Sequence, residues 1–119
     1  MKEVKAYVRP ERVEAVVAAL HGAGLAHLSI IHVRSFGSGV DPDDRRMSLE
    51  AGEWYTENAK LEFVCAEPDA PELVEVIRGA AHTGHPGDGI VFVSGVDRAV
   101  KIRSGTEGRD ALAWSAPRA

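Results

Sequence analysis

A single cysteine, Cys65, is all the thiol chemistry the chain has. It cannot close an intrachain disulfide, so the framework is not that of a secreted mini-protein. Its setting in "LEFVCA" reads as a buried small hydrophobe. No apolar run approaches the roughly 20 residues of a membrane span. The opening "MKEVKAYVRP" is strand-like and lacks the apolar core of a signal peptide, so the expected location is cytoplasmic. Positive charge is also in deficit: a net charge of −4 and a pI near 5.7 exclude a dominant nucleic-acid backbone partner. No Ser-His-Asp, Cys-His or paired-carboxylate spacing stands out, and nothing points to an enzyme. The G-x-x-x-x-G-K-[ST] phosphate loop is missing too.

What is present fits one domain. A chain of 119 residues leaves little room for an internal cavity, so a ligand site is expected at a subunit boundary or under a mobile loop. Residues 4–8 alternate apolar and polar and predict a strand, ended by Arg9-Pro10. Val13, Val16, Val17 and Leu20 recur at three and four and predict an amphipathic helix over 11–23, stopped by Gly22 and Gly24. Residues 27–36 read as a second strand and 59–66 as a third. A second helix follows, with Asp69 as its cap, Pro71 in its first turn and Leu73, Val74, Ile77, Ala80 and Ala81 inward. Residues 90–94 form a fourth strand, and the basic segment 98–105 a short extra one.

That order is α+β and ferredoxin-like: βαβ-βαβ, a four-stranded antiparallel sheet with two helices on one face and a short C-terminal strand. Residues 1–112 form the domain, with a long loop at 37–58; residues 113–119 form a flexible tail. The helices leave one sheet face bare while the strands carry apolar residues on both, which predicts a homo-oligomer. A structureless stretch as long as 37–58 is uncommon inside a small domain unless it binds something or is disordered. Its "DPDDRR" reads as a solvated tip, a cation site or a docking point. Trp54 and Tyr55 contact a partner or pack over the sheet.

Chemistry concentrates in "HTGHPGDGIVFVSG", residues 82–95. The segment has four glycines, three of them before an apolar strand, so the backbone there comes close to something. Successive N–H groups can form an anion-binding concavity; equally, the loop is a plain glycine-rich turn. Asp88 accepts a hydrogen bond either from a ribose hydroxyl or from the loop backbone. Lys101 and Arg103, two apart in the expected strand, share a face and form either a phosphate clamp or a solvated edge. His82 and His85 lie three apart. Without a third ligand they read as a helix-end histidine and an exposed loop histidine rather than a metal site.

These residues resemble the PII signal-transduction family. The resemblance runs from "MKEVKAYVRPERVEAVVAAL" to "VDRAVKIRSGTEGRDAL" and is most specific in "HTGHPGDGIVFVSGVDRAVKIRSG". It implies a homotrimer with adenine nucleotide (ATP, ADP or AMP) held in clefts between subunits. It also implies a long loop that docks on a target enzyme or transporter in nitrogen or carbon metabolism. Residue by residue, Gly87, Asp88 and Gly89 match the loop along the nucleotide, and Lys101 and Arg103 the basic pair at the phosphates. Ser29 matches a hydroxyl near ribose or base, Val64 a position lining the adenine, and Gly37 and Ser38 the root of the long loop. No metal ligand is carried over.

Three departures stand out. Ile90 replaces a common lysine, removing one phosphate contact. Gly39 falls near the glutamine that helps hold magnesium and 2-oxoglutarate, which leaves magnesium open and argues against 2-oxoglutarate sensing. Glu50 stands at the modifiable tyrosine, so uridylylation there is excluded; Tyr55 matches the second tyrosine. Two readings from other classes compete: a CutA-like trimer binding copper or zinc, and a small enzyme subunit whose active site the oligomer completes.

Overall fold

The computed structural model describes residues 1–37 and 41–113. Ser38, Gly39 and the tail from 114 onward, which carry parts of the expectations above, lie outside the described residues.

Strand β1 (Lys2–Val8) turns its Val4, Ala6 and Val8 inward, all essentially without solvent contact. Pro10 then opens a short 3₁₀ turn, its missing N–H costing nothing at that position. Helix α1 (Val13–Gly22) buries Val16 and Leu20, with Val13 and Val17 packed at the rim. It ends in a Schellman motif: Gly24 takes φ +98°, Gly24 N–H bonds the His21 carbonyl, and Leu25 N–H bonds the Leu20 carbonyl, each at 3.0 Å. Strand β2 (Ser29–Phe36) follows. After a turn beginning at Asp41 come the three-residue strand β3 (Arg46–Ser48) and β4 (Glu53–Cys65), thirteen residues long. Helix α2 (Ala70–Ala81) buries Leu73, Ile77 and Ala81, and β5 (Ile90–Gly95) completes the sheet.

The sheet order is β2-β4-β1-β5, every pair antiparallel. The two β-α-β halves therefore interleave, β4 lying between β1 and β2 and β1 between β4 and β5. This is the ferredoxin-like arrangement expected. Both helices cover one face, closing a core of Val4, Ala6, Val8, Leu61, Phe63 and Ile77 with their neighbours. The register puts Lys5 opposite Glu62 and Phe92, and Tyr7 opposite Lys60 and Ile90, on the other face. That face mixes the ion pairs Lys5–Glu3 (3.4 Å) and Lys60–Glu62 (2.6 Å) with exposed Ile31, Ile90 and Phe92.

Three expectations are corrected. The third strand begins at Glu53 rather than near residue 59, and β3 pairs with it, so the back half of the long loop is a hairpin with a tip at 49–52. Pairing alone explains this: β2 and β3 hold opposite edges of β4 around Tyr55. The C-terminal strand is reduced to one bridge, Val100 with Glu107; the chain turns back, Lys101 N–H bonding the Thr106 carbonyl at 2.8 Å. Asp69 occupies the N-cap of α2 but already has helical angles, and its side chain makes no capping bond.

The described molecule measures 46 × 29 × 28 Å with a radius of gyration of 16.2 Å. A compact domain of this length has about 13.5 Å. At about 3.3 Å per residue, the thirteen residues of β4 are nearly as long as the molecule's longest dimension.

Candidate functional site

The loop between α2 and β5 is folded around one carboxylate. Asp88 Oδ2 accepts the N–H groups of Thr83 (2.8 Å) and Gly84 (2.9 Å), while Oδ1 accepts the Thr83 hydroxyl and Arg9 Nε (3.1 Å). Both oxygens are saturated. Of the two roles open to Asp88 from sequence, the structure shows the second: it accepts from the loop's own backbone and from β1's end. Burial alone would raise this carboxyl. The hydrogen bonds from Thr83, Gly84 and Arg9 outweigh it and hold Asp88 far below the usual carboxylate range.

The glycines answer to the chain itself. Gly89 has φ +101°, and a Cβ there would lie 1.7 Å from the Tyr7 carbonyl oxygen. Gly87 has φ +97°, and its Cβ would lie 2.8 Å from that of Asp41. What the backbone approaches is the end of β1 and Asp41, at the root of the long loop.

Arg9 sits at the centre of this arrangement, its side chain only 10% exposed. Nε reaches Asp88, Nη1 reaches Asp41 Oδ2 at 3.1 Å, and Nη2 reaches the Pro86 carbonyl at 2.7 Å. Burial opposes its charge, but the bonds to Asp88 and Asp41 prevail and hold the guanidinium's pKa above its ordinary value. Asp41 in turn accepts the Asp43 N–H at 2.9 Å, the largest influence keeping its carboxyl low. Sequence reasoning passed over Arg9 and placed Asp41 only within "DPDDRR", read as a solvated tip, a cation site or a docking point, whereas Asp41 is buried and paired with Arg9. Continuing the alternation of β1 puts residue 9 outward, and nothing local names a partner 32 or 79 positions away.

Beside the loop lies a groove of about 600 Å³ lined by Tyr7, Ser35, Phe36, Asn58, Asp88 and Ile90. Asn58 Nδ2 donates to Ser35 Oγ at 2.7 Å on its wall. Gly87 and Gly89 also line it, and Gly37 (φ +112°) follows Phe36 at its rim. Ser38 lies outside the described residues.

The remaining site residues are elsewhere. Ser29 pairs with Glu62, and Val64 lies two residues further along β4. Val64 lines a second recess of about 360 Å³ with His27, Asp69, Arg109, Leu112 and Ala113. Lys101 Nζ donates to the Ala113 carbonyl, which places it at this recess. Arg103 stands in the exposed turn after Lys101. Because this segment turns rather than extends, the strand argument for a shared face of Lys101 and Arg103 fails within one chain.

Of the eight expected residues that are described, Gly37, Gly87, Asp88 and Gly89 thus lie at or beside the first groove and Val64 and Lys101 at the second, while Ser29 and Arg103 line neither. Between Asn58, at the first groove, and Val64, at the second, β4 runs six residues, about 20 Å. One chain cannot bring both groups to one small ligand. Neither recess gathers metal ligands: among the described residues no three His, Cys, Asp or Glu side chains are placed to hold an ion.

Comparison with known proteins agrees with this architecture. The family model for nitrogen regulatory protein P-II matches residues 1–106. The nitrogen regulatory protein P-II of Rhizobium meliloti is 33% identical over 112 residues, covering 94% of this chain and all of the relative. Nitrogen regulatory protein P-II 2 of Methanothermobacter thermautotrophicus is 36% identical, covering 94% and 97%. Nitrogen regulatory protein GlnK2 of Haloferax mediterranei is 36% identical over 116 residues, covering 94% and 91%. These relatives are regulatory proteins by name, and the CutA-like alternative is set aside by the family match. From its first strand to the turn that follows Arg103, the chain belongs to the nitrogen regulatory protein P-II family.

Proposed function

We propose that the protein is a trimeric regulator that binds an adenine nucleotide between subunits and controls a partner enzyme or transporter through residues 37–58. The carrying observation is the separation of the two residue groups. The Gly87–Gly89 groove of one protomer needs the Ser29, Val64, Lys101 and Arg103 end of a neighbour to complete it. In that cleft the glycine loop lies along the nucleotide, and Lys101 and Arg103 meet the phosphates, arginine gripping two oxygens at once. The loop enters binding already shaped, since Asp88 and Arg9 fix it beforehand, which lowers the ordering cost.

Ile90 offers no charge where the family commonly has lysine, so ADP and AMP compete effectively with ATP. Tyr7 and Phe92 meet edge to face at 6.3 Å on the bare sheet face, and assembly would cover them with their apolar neighbours. The family's regulatory role in nitrogen metabolism then reaches the target through the hairpin. Its two states must differ in partner affinity, and a full reversal of population requires about 5.5 kcal/mol of differential binding.

The test combines mass and melting. Light scattering should give three times the 12.8 kDa of one chain. ATP, ADP and AMP should each raise the melting temperature, a ligand at 100 times its Kd adding about 2.7 kcal/mol. The double variant Lys101→Ala, Arg103→Ala should lose the nucleotide shift and keep the trimer. A monomer at all concentrations, or a shift unchanged in the double variant, overturns the reading.

A further inference from the structure

We propose that Arg9 is a positioning residue that latches the root of the long loop to the 83–89 turn, so that each segment's order depends on the other. Its meaning as a relay between ligand and partner rests on the reading just given; the latch itself does not.

The geometry is specific. One planar guanidinium uses three of its nitrogens on two chain segments: Asp41 on one, Asp88 and the Pro86 carbonyl on the other. Side-chain exposure is 10% for Arg9, 10% for Asp41 and 23% for Asp88. Loss of either carboxylate leaves a largely desolvated cation with half its compensation, and that cost falls on the partner segment. Packing reinforces the charge. Gly87 lies so close to Asp41 that even a methyl group would not fit between them. Beyond Arg9, each carboxylate organises its own segment through backbone N–H groups. Asp41 holds the Asp43 N–H, and its carbonyl accepts the Asp44 N–H at 3.2 Å, just before the hairpin. Asp88 holds the Thr83 and Gly84 N–H groups. A disturbance at residue 41 therefore reaches the amides of residues 83 and 84 through two side chains, Arg9 and Asp88, and the reverse path is the same.

The experiment changes one end and reads the other, on the full chain without any ligand. Trypsin cleavage after the exposed Arg45 and Arg46 reports the loop root; hydrogen exchange at the Thr83 and Gly84 amides reports the turn. In Asp41→Asn those two amides should exchange about tenfold faster, the scale of a lost charged hydrogen bond. In Asp88→Asn tryptic cleavage at 45–46 should accelerate by a similar factor. Arg9→Gln should show both effects, and adding Asp41→Asn to it should change neither further. Arg9→Lys, which keeps the charge but loses the three-way reach, should restore only part of the protection.

Asp41→Asn sits in the loop root and leaves the core intact, so the idea stays testable if Asp88→Asn fails to fold. Exchange at Thr83 and Gly84 unchanged in a folded Asp41→Asn protein overturns the latch. Because neither readout uses nucleotide, a failed latch and a failed nucleotide site are separate results.

Discussion

At Gly89 the chain has no alternative residue. The Tyr7 carbonyl occupies the space of a Cβ, and φ +101° is a region that other residues avoid. Gly89→Ala should part β1 from β5 where Tyr7 pairs with Ile90, costing upwards of about 3 kcal/mol. Gly95→Ala, at a glycine with nothing within 4 Å and an ordinary φ, is the control, and urea melts of both check the contrast. The carboxylates of Asp41 and Asp88 set the acid limit. Both titrate below the ordinary 3.8, so their contribution is complete above the unfolded value and is lost as pH falls beneath it. Melting temperature should therefore hold from pH 7 to 5 as far as these groups decide it, and fall below about pH 4, less steeply in Asp41→Asn. Burial, aided by the charge of Asp69, pushes the Cys65 thiol up, so native protein should resist alkylation at pH 8 while unfolded protein reacts.

Elements were legible where one face is buried and the other is wet. Val16 and Leu20, and Leu73, Ile77 and Ala81, came from spacing alone because a helix facing a core must repeat at three and four. The front of β4 was not legible. Of Glu53 to Asn58 only Tyr55 and Thr56 are buried, and they are adjacent, so the period of two disappears although the ladder persists. The opposite error occurred at 98–105. Val100, Lys101, Ile102 and Arg103 alternate well, yet Ile102 is fully exposed and the segment turns. Alternation predicts a strand only where a neighbour lies alongside. Leu49 at the hairpin tip is 95% exposed, and Trp54 is half-exposed under the Arg45 guanidinium at 4.6 Å. Changing both to serine should move stability by less than about 0.5 kcal/mol. Ile77→Ala, in the core, should cost about 2–5 kcal/mol; thermal melts of both variants separate the two kinds of residue.

For the molecule as a whole, the fold could be read from element order, but the grouping of the site could not. Ser29 and Gly87 look like members of one site in the sequence and stand beside opposite edge strands of the sheet, β2 and β5, in the structure. Spacing along a chain carries no information about which end of a strand a residue occupies in a neighbouring copy. The same holds for Arg9, whose partners are assembled by topology. The thirteen residues of β4 belong at once to the sheet's interior and to one arm of the hairpin, with no break between them. Near the hairpin end of β4, Tyr55 is braced by Phe36 at 5.5 Å and the Arg34 guanidinium at 4.9 Å. A protein gripping the hairpin tip therefore holds one end of a stiff rod whose other end is set in the core. A pull there would reach the core along one unbroken strand.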